Sequence, residues 1–264
     1  MLRSKKYNLF FLFLLFCASL SAQEGTRTTT TPDTKTSDAT GKIMIVPFEP
    51  KLYMSDIDQK INQQTKWNFE TIRENFRHQL DAQLKLKLQS ILPVISFYSD
   101  SAKMSKDLEF TYNSTTLSYD LVSKPTEATA ATKKQSGIKN GQVQVEMNND
   151  KKFMNTKITN NEMLPYLSKK YTADYFVFIN ELDIKNDMTT YDMTQDIYQR
   201  EITVHYSIID KTGKTIAAGV ATSNFSSKEN APKKIIAQNF SSIAKDISVK
   251  FSALVKPKPA VQKN

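Results

Sequence analysis

Between Thr65 and Ile91 apolar residues return every three or four positions: Phe69, Ile72, Phe76, Leu80, Leu84, Leu88 and Ile91. That spacing places them on one side of an α-helix, and a helix with one apolar side must bury it against another layer. Charged residues such as Glu70, Arg73, Arg77, Asp81, Lys85 and Lys87 fall mostly on the other sides, and Pro93 closes the segment. The helix is framed by two short apolar runs, Ile43–Val46 before it and Val94–Tyr98 after it, which read as buried strands. Strand, helix, strand in that order predicts a right-handed crossover between parallel strands.

The second half repeats this chemistry in another order. Asn161–Tyr171 predicts a short helix with Pro165 in its first turn. Ala173–Ile184, opening on Tyr175-Phe-Val-Phe-Ile179, predicts a central strand. Ile202, Val204, Tyr206 and Ile208 alternate with polar residues, as in a strand with one buried face. Asp210-Lys-Thr-Gly213 is a turn, and Thr215–Phe225 returns from it. Ile235, Ile236, Phe240, Ile243, Ile247 and Phe251 form a last amphipathic helix. Between the halves the signal is weaker. Residues 51–63 read as irregular. Residues 108–122 alternate through Phe110, Tyr112, Leu117, Tyr119 and Leu121, and pair as an irregular hairpin with Gln142–Met147 around a polar loop at 123–141. The expected fold is α/β in the α+β sense: a mixed sheet with two long amphipathic helices on it and an irregular insert at about 100–160.

The ends read differently. Residues 1–22 carry Arg3, Lys5 and Lys6, then ten apolar residues from Leu9 to Ala18, then Ser19, Ser21 and Ala22. That order is a secretory signal peptide, with cleavage after Ala22 or after Ser21, and the run is too short to span a bilayer. Cys17 raises the alternative of a lipid anchor, although bulky Phe16 before it suits that processing poorly. Residues 23–41 are Thr-rich and read as a disordered linker, and 255–264 as a mobile Pro/Lys tail, so 42–254 is expected to be one folded domain. Removing the three basic residues of the leader takes 36 Lys and Arg to 33 against 27 Asp and Glu, and the net charge from +9 to +6. The expectation is export to the periplasm or the outer membrane, with no spanning segment in the mature chain. A basic exported protein meets anionic envelope surfaces rather than nucleic acid. Nothing here specifies an oligomeric state.

With 2 His and 1 Cys the chain has no Cys/His zinc set and little with which to build a His-based triad. Six Gly leave no phosphate cradle. His78 reads as a surface residue, and His205 as a polar sheet residue on the face opposite Val204 and Tyr206. Asp56-Ile-Asp58 reads as a loop cap. Asp183, Asp187 and Asp192 carry enough oxygens to surround a calcium ion, but their spacing matches no EF-hand, no Gly sits where its loop must turn, and no closing Glu follows. No residue is therefore assigned as catalytic, cofactor-binding or metal-ligating, and no cofactor is expected. A carboxylate-dependent hydrolase acting on glycans stays as the alternative, because 27 acids allow many pairs. The candidate interaction surface is Lys185–Gln199, where Met188, Tyr191, Met193 and Tyr198 stand among polar residues. Met and Tyr are favoured at adaptable contacts, and the competing reading is that they merely extend two strands.

The opening KIMIVPF (Lys42–Phe48), KKYTADYFVFINELDI (Lys169–Ile184) and VHYSIIDKTGKTIAAG (Val204–Gly219) resemble the periplasmic α/β domain of the TolB N-terminal, CsgG and LpoB-like group. PFEPKLYMSDID (Pro47–Asp58) is similar to a segment of uncharacterised exported bacterial proteins. The resemblance implies a non-catalytic envelope domain that contacts a protein or an envelope polymer. Asp100–Asn160 has no counterpart in it, and pore formation does not carry over.

Overall fold

The computed structural model describes residues 41–121, 138–139, 142–143 and 152–255. Among the described residues ten strands and five α-helices follow one another. They are β1 (Ile43–Val46), β2 (Tyr53–Ser55), α1 (Asp58–Thr65), α2 (Phe69–Leu88), β3 (Val94–Ser96), α3 (Ser101–Asn113), β4 (Thr115–Leu121), β5 (Ile138–Lys139) and β6 (Gln142–Val143). Then come β7 (Lys152–Ile158), α4 (Met163–Tyr171), β8 (Tyr175–Asp192), β9 (Ile197–Asp210), β10 (Thr215–Ser226) and α5 (Pro232–Leu254). The main sheet runs β10-β9-β8-β1-β3, with β2 further along β8. β1 is parallel to β3 and to β8, while β8, β9 and β10 are antiparallel neighbours. The sheet is thus mixed, and β1 and β3, on either side of α2, are parallel as expected.

Alternation along the strands sorts the core into two layers. Ile43, Ile45, Val177, Ile179, Val204 and Ile208 face α2 and α5, where Ile72, Phe76, Leu80, Phe240, Ile243 and Phe251 meet them. Met44, Val46, Phe176, Phe178 and Ile209 face the other way, onto Met104, Met163, Leu164 and Leu167 of α3 and α4. All four residues of β1 are buried because both faces are covered. The two long amphipathic helices are α2, of 20 residues, and α5, of 23.

Several local expectations need correction. Helix α2 starts at Phe69, not Thr65, because Asn68 caps it by accepting from the Thr71 amide at 2.7 Å. Phe69 itself is 60% exposed. Residues 51–63 are not irregular: they form β2 and α1, whose only buried side chain is Ile61. Residues 108–113 are helical rather than extended. The inner side of α3 carries Met104, Asp107 and Thr111 at spacings of three and four, and two of these are polar, so a purely apolar pattern does not show it. β4 pairs with β7 and not with Gln142–Met147, while Gln142–Val143 pairs with Ile138–Lys139. Residues 144–147, the 123–137 part of the polar loop, the leader, residues 23–40 and the tail from 256 lie outside the described residues.

Arg77 and Asp81 also depart from expectation, since both are buried. The Arg77 guanidinium donates to the Phe48 carbonyl at 2.6 Å and to the Tyr112 hydroxyl at 2.7 Å, and pairs with Glu74 at 3.1 Å. It ties α2 to α3 and to the end of β1. Asp81 accepts from the Ser96 hydroxyl at 2.7 Å, and burial pushes its carboxyl up to about 6.

Candidate functional site

The four residues singled out from the sequence lie at the far end of the β8–β9 hairpin. β2 runs beside β8 as far as Ile184, and β10 beside β9 as far as Gln199. Beyond those points β8 and β9 continue as a ribbon of two strands, closed by a turn at Met193–Asp196. Asp196 adopts φ 50° there, a left-handed conformation that Asp tolerates in turns. Met193 is 85% exposed, Met188 59% and Tyr191 42%. The Tyr191 hydroxyl donates to Asp196 at 2.9 Å. Tyr198 is half-buried at the base, with its ring 6.4 Å from Tyr191 and its hydroxyl 3.3 Å from the Lys60 ammonium of α1. These side chains do extend two strands, as the competing reading held, yet three of the four stand in solvent.

The aspartates of this arm do not gather around a common point. Asp187 accepts from the Thr189 amide at 3.0 Å, and Asp192 from the Thr194 amide at 2.8 Å. Each carboxylate thus braces its own turn. Asp56 accepts from the Asn186 amide at 3.0 Å, and Asp58 from the Tyr53 hydroxyl at 2.7 Å, so the DxD pair is taken up in anchoring β2 and α1. His78 is exposed and packs against Tyr98, with ring centroids 3.8 Å apart.

A second constellation lies where β8 turns polar. Its alternation slips at a bulge between Ile179 and Glu181, and Glu181 becomes the direct cross-strand partner of His205 on β9. Glu181, Asp183 and His205 bring one oxygen or nitrogen each to within 4.8 Å of the others. They are 0%, 4% and 5% exposed. The ribbon of β4 and β7 lies on this face of the sheet. Tyr119 of β4 donates to Glu181 at 2.9 Å, and its ring meets His205 edge-on at 6.2 Å. The amide of Met154 on β7 donates to His205 Nδ1 at 2.8 Å. Lys185 donates to one oxygen of Asp183 at 2.8 Å, and the other has no partner among the described residues. Alongside, Asn180 and Ser207 bond to Met154 and Thr156.

Burial pushes the Glu181 carboxyl up to about 7, and the neighbouring Asp183 adds to this while the Tyr119 hydroxyl opposes it. Burial pulls the His205 imidazole below its ordinary value, against the attraction of Asp183. Two carboxylates and an imidazole are a plausible donor set for zinc. The hydrogen bonding does not fit that use. A neutral imidazole has one basic nitrogen, and a backbone N–H can only donate, so the Met154 amide claims the His205 lone pair that a metal would need. The ring proton must then sit on Nε2. The cluster is three buried titratable groups, each bonded to a neighbour outside the trio, and not a cation site.

Residues Glu181, Asn180 and Tyr119 were not among the sequence candidates. One signal for the first two existed: after five apolar residues, β8 places Asn180, Glu181 and Asp183 in a strand otherwise read as central.

No protein-family model matches the chain, and no curated protein matches it. Among solved structures it is similar to the hypothetical protein CT253 from Chlamydia trachomatis, at 10% identity over 83% of this chain and 99% of that one, with a TM-score of 0.37. It is also similar to a protein described as a "putative lipoprotein" from Caulobacter crescentus CB15, at 11% identity over 38% of this chain and 86% of that one, with a TM-score of 0.23. Likenesses at these scores carry no argument about function. No helix among the described residues is long and apolar enough to cross a membrane.

Proposed function

We propose that this is an exported, non-enzymatic protein of the bacterial cell envelope whose β8–β9 arm binds a protein partner. One observation carries the reading: a two-stranded arm that presents Met188, Tyr191 and Met193 to solvent instead of packing them. Met and Tyr gathered at one exposed end of a strand pair are residue types favoured at adaptable contact surfaces. Between Lys185 and Gln199 the arm carries Asp187, Asp192 and Asp196 against Lys185, on a chain whose net charge falls from +9 to +6 once the leader is removed. The partner that suits it is a protein surface with an apolar centre and a basic rim. Export rests on the leader-like residues 1–22. The order of elements supports grouping with the TolB, CsgG and LpoB-like domains.

The alternative, a carboxylate hydrolase, has Glu181 and Asp183 as its best acids. Both are closed off beneath Tyr119 and β7, where a glycan has no access. The discriminating experiment is affinity capture from a solubilised envelope fraction, comparing the protein with a Met188→Ser, Tyr191→Ser, Met193→Ser variant. Central aromatic and Met contacts are each worth about 1–2 kcal/mol, so the triple variant should bind its partner at least tenfold more weakly while melting at the same temperature. Recovery of identical proteins by both, or of none by either, overturns the reading.

A further inference from the structure

The β4–β7 ribbon packs Ile158 onto the core layer of Met44 and Phe176, and is otherwise fastened to the sheet by a set of polar side chains. The Met154 amide donates to His205 Nδ1 at 2.8 Å, and the Thr156 amide to the Ser207 hydroxyl at 3.0 Å. The Thr156 hydroxyl donates to the Asn180 carbonyl oxygen at 2.6 Å, and the Asn180 amide group donates to the Met154 carbonyl at 2.7 Å. Ser207 donates to Asn155 at 2.7 Å, and Tyr119 to Glu181 at 2.9 Å. Hydroxyls, amides and backbone groups do not change state between pH 5 and 8. An imidazole ordinarily does, and burial has pushed the Glu181 carboxyl up to about 7, into the same range.

The bond to His205 has a fixed polarity. Met154 offers a backbone N–H, so Nδ1 must accept. A proton arriving on Nδ1 turns that acceptor into a second donor, and the two N–H groups then face each other in a buried space. We propose that His205 is an acid-sensitive latch, and that its protonation releases the β4–β7 ribbon from the polar face of the sheet.

The charges around the ring set where the latch works. From β8 it is faced by Glu181, Asp183 and, beyond them, Lys185. From β4 comes the Tyr119 ring, and from β7 the Met154 amide. The β10 residue paired with it is Val220, and β10 contains no ionisable residue. Asp183 favours the imidazolium, whereas burial and Lys185 oppose it, and burial is the larger influence. The latched state therefore refuses the proton that the released state accepts, and it weakens as pH falls below the ordinary histidine value of about 6.5. Glu181 does not drive this opening. Its raised pKa makes the latched state hold a proton that the released state gives up, which favours the latched state in acid.

Hydrogen exchange read by mass spectrometry tests the latch on the full chain, with labelling times scaled for the intrinsic effect of pH. Because Glu181 offsets the histidine in acid, the latch is read in the Glu181→Gln protein, where peptides covering 152–158 should lose at least tenfold protection between pH 7.5 and pH 5.0 while those of α5 keep theirs. His205→Asn places an amide oxygen where Nδ1 was, accepts from Met154 and does not titrate, so in the double variant Glu181→Gln, His205→Asn the ribbon should stay protected at both values. The unaltered protein should respond to acid less than Glu181→Gln does. Equal protection of Glu181→Gln at the two pH values overturns the proposal. So does an acid response that persists in the double variant.

Discussion

Arg77→Met should destabilise the protein by about 3 kcal/mol, and Arg73→Met, one turn earlier on α2, by less than about 0.5 kcal/mol. A hydrogen bond to a charged group contributes about 1.5–3 kcal/mol, and Arg77 makes two short ones, to Phe48 and Tyr112. Part of that loss is recovered. The Phe48 carbonyl keeps a longer bond from Tyr112 at 3.3 Å, Tyr112 keeps its bond to the Pro47 carbonyl at 2.7 Å, and Glu74 keeps Arg73 at 3.2 Å. Removing a desolvated guanidinium returns something more, and the Met side chain fills much of the space of the stem. The balance sits at the low end of the roughly 3–5 kcal/mol that follows breaking a buried polar link. At about 2–4 °C per kcal/mol for a domain of this size, the melting temperature should fall by about 6–12 °C. Thermal melts by circular dichroism and urea titrations of both variants supply the comparison. Equal shifts in the two, or a loss below about 0.5 kcal/mol in Arg77→Met, would refute the view that this guanidinium holds α2, α3 and the end of β1 together.

Asp81 ionises reluctantly in the folded protein, with its carboxyl near 6 against an ordinary value of 3.8. The stability it allows is complete below about pH 4 and is lost as pH rises through about 6; Asp81→Asn keeps an acceptor for Ser96 without the charge, and in urea titrations at pH 4.5 and 7.5 it should gain on the unaltered protein at the higher pH by on the order of 2–3 kcal/mol. Gly213→Ala should cost about 1 kcal/mol, read as a 2–4 °C drop in the melt, because Gly213 has φ +88° in the β9–β10 turn. Open space near its would-be Cβ, where the nearest atom is 3.8 Å away, means that a larger loss would point to a cause other than backbone strain.

The chain's own pattern was sufficient where one side of an element is wholly apolar. Helices α2 and α5, the buried strand β1, the parallel crossover to β3 and the Asp210–Gly213 turn all follow from spacing, because burying one side repeats at 3.6 or 2 residues whatever lies opposite. It was insufficient where the buried side is polar. Helix α3 turns Asp107 and Thr111 inward, and Asp107 is satisfied by Tyr166 at 2.9 Å and Lys170 at 2.7 Å from a helix more than fifty residues away. Helix α1 buries one isoleucine, and β2 exists because the edge of β8 is there to receive it. Such elements obey partners that a local window does not contain.

The candidate surfaces divide in the same way. Met188, Tyr191, Met193 and Tyr198 were visible as apolar residues in a polar stretch, since composition alone marks them. That three of them stay uncovered depends on where β2 and β10 stop, which is a matter of sheet registration. Glu181 and His205 are 24 positions apart in the chain (205 − 181) and become neighbours through the β8–β9 register and its bulge. Local side-chain order states which face of a strand seeks burial. Only long-range pairing chooses the residue across from it, and the buried cluster at His205 is made by that choice.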